Sequence, residues 1–66
     1  MNLILNGNPH RTQSRKLTEL LCELGLNEPK GMAIAINDRV IPKSTWDRHD
    51  LKPNDRIEII RATQGG

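Results

Sequence analysis

Leu17, Leu20, Leu21 and Leu24 recur at the i, i+3, i+4 and i+7 spacing that lines one face of an α-helix. The rest of the apolar content comes in short alternating runs, so a single helix must cover a sheet. Ser14 is placed to cap the helix N-terminus. Gly25 suits the left-handed position just past the C-terminus, with Leu26 folding back onto Leu21 as in a Schellman motif.

Met1, Leu3 and Leu5 alternate with Asn2 and Asn6, as in a strand with one buried face. Asn6-Gly7 is a hairpin pair, so Pro9 to Thr12 is expected to return antiparallel, at an edge because Pro9 has no ladder donor. Asn27 to Gly31 reads as a loop. In Met32 to Asn37, Met32, Ile34 and Ile36 are expected under the helix, with Ala33 and Ala35 on the far face and the strand inside the sheet. Asn37-Asp38-Arg39 turns the chain into a short edge strand at Val40-Ile41, which Pro42 ends. Lys43 to Asp50 is irregular or one helical turn, with Ser44 as its cap. Lys52 to Asp55 is a turn, with Asn54 at the position that tolerates positive φ. Arg56 to Ile60 is the last strand, with Ile57 and Ile59 inward and Glu58 and Ile60 outward. The pattern is α+β: a mixed five-stranded sheet with one helix on one face. Residues 1–60 form the domain and residues 61–66 a flexible tail.

At 66 residues the chain has room for one small core and none for a cleft between domains. Ten Lys and Arg against eight Asp and Glu are interspersed, and Trp46 is the only aromatic residue. A nucleic-acid surface calls for a basic stripe with stacking aromatics, and neither is present. The single Cys22 excludes an internal disulfide, and with no CxxC or paired histidines no metal-ligand set can be drawn. No apolar run is long enough to span a bilayer, and the expected location is the cytoplasm.

Individual side chains read as structural. Cys22, on the helix flank, is expected to be a small half-buried hydrophobe. His10 and His49 have no carboxylate partner at a recognisable spacing and are expected on the surface. Trp46 is expected to pack over the sheet edge. No phosphate loop, paired carboxylates or nucleophile motif is present, so catalysis by the chain alone is not expected.

Gln64-Gly65-Gly66 remains. A carboxylate behind two residues without side chains can enter a slot too narrow for anything but backbone. Ionised at neutral pH, it is a poor electrophile and needs activation from outside.

Ala35-Ile36-Asn37, Val40-Ile41-Pro42-Lys43, Trp46, Leu51, Asn54-Asp55-Arg56-Ile57-Glu58 and Gly65-Gly66 together resemble the sulfur carrier proteins of thiamin biosynthesis, the ThiS family. The spacing Asn-x-x-Val-Ile-Pro-Lys-x-x-Trp is the more specific part, since a terminal Gly-Gly is common to ubiquitin-like proteins. The family usually has Gly-Asp where this chain has Asn54-Asp55, and a small residue where it has Gln64.

The resemblance implies a ubiquitin-like β-grasp fold. It implies that the chain is a protein co-substrate, not an enzyme, and that Gly66 is adenylated and converted to a thiocarboxylate, with Gly65 giving clearance. The implied partners are a ubiquitin-activating-like adenylyltransferase of the ThiF type, a thiazole synthase of the ThiG type and a cysteine desulfurase route for sulfur. ATP and Mg²⁺ would belong to the adenylyltransferase, with no cofactor on the chain itself. Ala33, Ala35 and Ile60, on the sheet face opposite the helix, are the expected docking residues. Alternatives are the small subunit of molybdopterin synthase, a ubiquitin-like protein modifier and an interaction module whose tail is incidental.

Overall fold

The structure, a computed structural model, describes residues 1–26 and 31–61. Residues 27–30 of the expected loop, and the tail from residue 62 with Gln64, Gly65 and Gly66, lie outside the described residues.

The elements are β1 (Asn2–Leu5), β2 (Asn8–Arg11), α1 (Leu17–Glu23), β3 (Met32–Ile36), β4 (Arg39–Val40), a 3₁₀ helix (Lys43–Arg48) and β5 (Arg56–Arg61). They make one five-stranded sheet in the order β2-β1-β5-β3-β4. β1 and β2 are antiparallel, with Leu3 opposite His10, and Asn6 (φ 49°) and Gly7 (φ 82°) give the two left-handed residues that a tight hairpin needs. β5 lies between β1 and β3, parallel to the first and antiparallel to the second. Its Ile57 is in register with both Leu5 and Ile36. The sheet is therefore mixed, with β2 and β4 as its edges and β3 inside, as the sequence implied.

The buried core joins Leu3, Ile34, Ile36 and Ile57 of the sheet to Leu17, Leu20 and Leu21 of α1, with Trp46 and Leu51 closing one side. Met32 and Ile59 pack against it from the same sheet face, and Leu24 from the helix end. Trp46 has its indole N–H donating to the Ile41 carbonyl oxygen at 2.8 Å, so its one polar atom is satisfied inside the core.

Both ends of α1 are set by hydrogen bonds, but only one end follows the sequence expectation. At the C-terminus the Leu26 N–H donates to the Leu21 carbonyl (2.7 Å) and the Gly25 N–H to that of Cys22 (3.0 Å), with Gly25 at φ 74°, which is the Schellman arrangement. At the N-terminus Ser14 is not the cap. Lys16 is extended because this segment pairs with the chain after the 3₁₀ helix: the Leu51 N–H donates to the Arg15 carbonyl (2.8 Å) and the Leu17 N–H to that of His49 (3.0 Å). The helix thus starts at Leu17. The Glu19 carboxylate accepts the freed N–H groups of Arg15 (2.7 Å) and Lys16 (3.1 Å), and these bonds hold its pKa below the ordinary range. An ion pair between Lys16 and Asp50 ties the same two segments on their exposed side and lowers the Asp50 pKa.

Smaller differences follow the same logic. The second strand begins one residue before Pro9, β4 comprises Arg39 and Val40 instead of Val40 and Ile41, and β5 runs on through Arg61, opposite Met32. Ser44 lies within the 3₁₀ helix, whose flanking residue is Pro42. The Thr45 hydroxyl donates to the Pro42 carbonyl at 2.9 Å.

Ser14 instead joins a cluster on Glu23. The Glu23 carboxylate accepts from the Thr12 hydroxyl (2.6 Å) and the Ser14 hydroxyl (3.1 Å), and its other oxygen lies 2.9 Å from His10 Nε2. This pins the β2 edge to the end of α1. The Thr12 bond first, and then His10, hold the Glu23 pKa below the ordinary carboxylate value. A depressed folded-state pKa adds stability above the unfolded value, and that stability is lost as pH falls through the folded value. Thermal melts between about pH 7 and pH 3 should therefore show Glu23→Gln less stable than the parent at neutral pH, with the gap narrowing as the pH falls. A gap independent of pH would mean that the charge on Glu23 contributes nothing.

Candidate functional site

One sheet face is covered by α1, and the other is open. Direct cross-strand partners share a face, so the pairs Ala33 with Ile60 and Ala35 with Glu58 place all four residues on the side away from Ile34, Ile57 and Ile59. Ala33 is exposed, Ala35 is half-buried and Ile60 is 59% exposed. The three residues expected there do lie together on the open face.

Sequence reasoning missed Val40. The turn at Asn37 (φ 52°) and Asp38 (φ 68°) is a two-residue hairpin, which fixes Ile36 opposite Arg39 and Ala35 opposite Val40. Val40 therefore joins the open face, 77% exposed. Together with Ile60 it is one of two large apolar side chains exposed to this degree among the described residues. The signal was present in the sequence, since once Asn37-Asp38 is read as the two central residues of the turn, Val40 falls beside Ala35. The patch has a charged margin: Glu58 is exposed between Arg56 and Ile60 along β5, and Arg56 pairs with Asp38 at 2.9 Å. The open face is thus apolar at Ala33, Ala35, Val40 and Ile60, with charge at its margin.

The strand that carries half of this patch also leads to the tail. β5 is held by β3 as far as Arg61, and the sequence continues from there toward Gly65 and Gly66, which lie outside the described residues.

Other candidates are placed as follows. Cys22 is exposed, not half-buried, because nothing packs over its flank of α1. It lines an apolar groove of about 250 Å³ shared by Thr18, Leu21, Leu26, Lys43 and Trp46. His10 has the carboxylate partner, Glu23, that no sequence spacing revealed. His49 is half-buried, and its carbonyl receives the Leu17 N–H. Among the described residues no group of His, Cys, Asp and Glu is arranged to hold a metal ion. No helix among them is long and apolar enough to cross a membrane.

A model of the ThiS family matches residues 3–66. The chain belongs to the ThiS family. It is 32% identical over 62 residues to the sulfur carrier protein ThiS of Thermus thermophilus, covering 94% of this chain and 95% of that one. The crystal structure of the thiamine biosynthesis protein ThiS from Geobacter metallireducens superposes with a TM-score of 0.84 at 28% identity, covering all of both chains. The β-grasp expected from the resemblance is thereby the fold of this chain. A thiazole synthase of Magnetococcus marinus contains a segment 33% identical over 67 residues, which takes in all of this chain and 20% of that protein. The departure of this chain from the usual ThiS Gly-Asp is accommodated by the backbone: Asn54 takes φ 69°, the left-handed conformation that Asn tolerates.

If Val40 and Ile60 have no structural duty, Val40→Ser and Ile60→Ser should each change stability in urea melts by no more than about 0.5 kcal/mol. Ile34→Ala, in the core, should cost about 2–5 kcal/mol. A loss near the core value at Val40 or Ile60 would show the open face to be part of the packing.

Proposed function

We propose that this chain is a sulfur carrier for the synthesis of the thiamin thiazole, with Gly66 as the residue that bears the sulfur. The observation that carries this reading is membership of the ThiS family over a match that runs through Gly65 and Gly66. The thiazole synthase that contains a segment like this chain supports the choice of recipient.

The chemistry follows from the carboxylate. An ionised carboxylate resists nucleophiles, so a ThiF-type adenylyltransferase joins it to the α-phosphate of ATP, with Mg²⁺ on that enzyme and pyrophosphate leaving. The mixed anhydride has AMP as a good leaving group. A persulfide sulfur from a cysteine desulfurase route attacks the Gly66 carbonyl and AMP departs. Reduction of the remaining S–S bond by a thiol leaves a thiocarboxylate, which a ThiG-type thiazole synthase consumes. The chain is a co-substrate in this sequence and holds no cofactor, and the reactions fit the cytoplasm.

Two parts of the chain divide the work. Gly65 and Gly66 present a tail with backbone width only, which can thread to a buried catalytic site. Ala33, Ala35 and Ile60, with Val40 added, give the partner an apolar face to grip. Docking by the sheet fixes where the tail begins, and a tethered carboxylate then reacts at high effective concentration.

Removal of Gly66 tests the reading. The truncated chain should retain its circular dichroism spectrum and lose both thiocarboxylate formation and support of thiazole synthesis. Thiazole formation at the parental rate would overturn the assignment of Gly66. Ile60→Glu should leave the fold intact and raise the KM for the carrier in adenylation about tenfold or more, as burial of an unpaired charge implies. An unchanged KM would remove the open face from docking.

A further inference from the structure

β5 has a weakness on the side of β1. The parallel pairing ends at Leu5 with Ile57, because the chain turns away at Asn6 and Gly7 into β2. The Asn6 N–H still donates to the Ile57 carbonyl at 2.8 Å. The next group of β5 facing that side, the Ile59 N–H, comes after β1 has already left. Asn6 fills the gap with its side chain: Oδ1 accepts the Ile59 N–H at 2.8 Å. One residue thus makes the hairpin with its backbone, at φ 49°, and adds a rung to β5 with its amide.

We propose that Asn6 is a positioning residue for the reactive end of the chain: its side-chain oxygen secures β5 at Ile59, so that the segment leading to Gly66 departs from a fixed point beside the docking face. This rests on the sulfur-carrier reading above. With Asn6 in place, β5 is held on both sides through Ile59, by Asn6 and by the pairing of Ile59 with Ile34. Without it, β3 alone holds the stretch from Glu58 to Arg61. Fraying would then lengthen the free segment. A longer tether lowers the effective concentration of the carboxylate in the partner's site, and a less directed one reaches the reactive geometry less often. The role is separable from the turn, because Asn, Asp and Gly all accept the left-handed conformation before Gly7, whereas only Asn and Asp bring an acceptor oxygen.

The test uses three full-length chains, the parent, Asn6→Gly and Asn6→Asp, each with a ThiF-type adenylyltransferase, ATP and Mg²⁺. Amide hydrogen exchange by NMR should show Ile59 exchanging about five- to tenfold faster in Asn6→Gly, with amides of Leu20 and Ile34 unchanged. The kcat for adenylation should fall about three- to tenfold. KM should change by less than about twofold, because the docking side chains are retained. Asn6→Asp should restore both exchange and kcat. Unaltered Ile59 exchange in Asn6→Gly, or faster exchange with an unaltered kcat, overturns the positioning role while leaving the carrier reading intact. A general loss of protection in Asn6→Gly that Asn6→Asp fails to restore would reduce Asn6 to a turn residue and also overturn it. A parent chain inert to adenylation overturns the carrier reading, and with it any role of Asn6 in that reaction.

Discussion

The two-sided pairing of β5 is the constraint on which the rest of the structure depends. Ile57 sits in register with Leu5 on one side and Ile36 on the other, and it is almost wholly buried beneath α1. The strand nearest the C-terminus therefore occupies the middle of the sheet, and the fold closes only when the two ends of the chain meet. That has a functional consequence. A tail that follows an edge strand would start from a mobile margin, whereas here the last strand is held by β1 through Ile57, by the Asn6 side chain at Ile59 and by β3 through Arg61.

Much of the fold was legible because local chemistry and tertiary demand agree. The leucine stripe of α1, the Gly25-Leu26 stop, the Asn6-Gly7 hairpin and the alternation in β3 each specify themselves within a few residues. The failures occur where a distant segment competes. Ser14 has the chemistry of a cap, but Arg15 and Lys16 are drawn into extended pairing with residues 49–51, so the helix starts later and the Ser14 hydroxyl goes to Glu23. No spacing rule connects those segments. The same holds for His10 and Glu23, which only the return of α1 past β2 brings together. Cys22 was misplaced for a simpler reason: a flank position on a short helix is buried only if something packs over it, and here there is an open groove.

The candidate site was readable in outline and incomplete in detail. Ala33, Ala35 and Ile60 followed from period-two alternation, which tells inside from outside without knowledge of strand order. Val40 required the register of the β3–β4 hairpin, and a one-residue shift in that strand hid it. Asn6 was legible as a turn residue but not as a partner of Ile59, which is distant in sequence. These additions bring the open face and the last strand into one arrangement: an apolar surface and, beside it, a strand secured at Ile59. On the proposed reading, the domain supplies placement and identity, and its partners supply the activation chemistry.

The central claim is that the Gly66 carboxylate is where sulfur is carried, and intact-mass spectrometry of the whole chain tests it most directly. The chain is incubated with a ThiF-type adenylyltransferase, ATP, Mg²⁺ and a persulfide-generating cysteine desulfurase with cysteine and a reducing thiol. The account predicts a mass gain equal to replacement of one oxygen by one sulfur, located by fragmentation to the C-terminal glycine and dependent on ATP. An unchanged mass, or a product in which the C-terminus is joined by an amide bond to lysine of another protein, would contradict it.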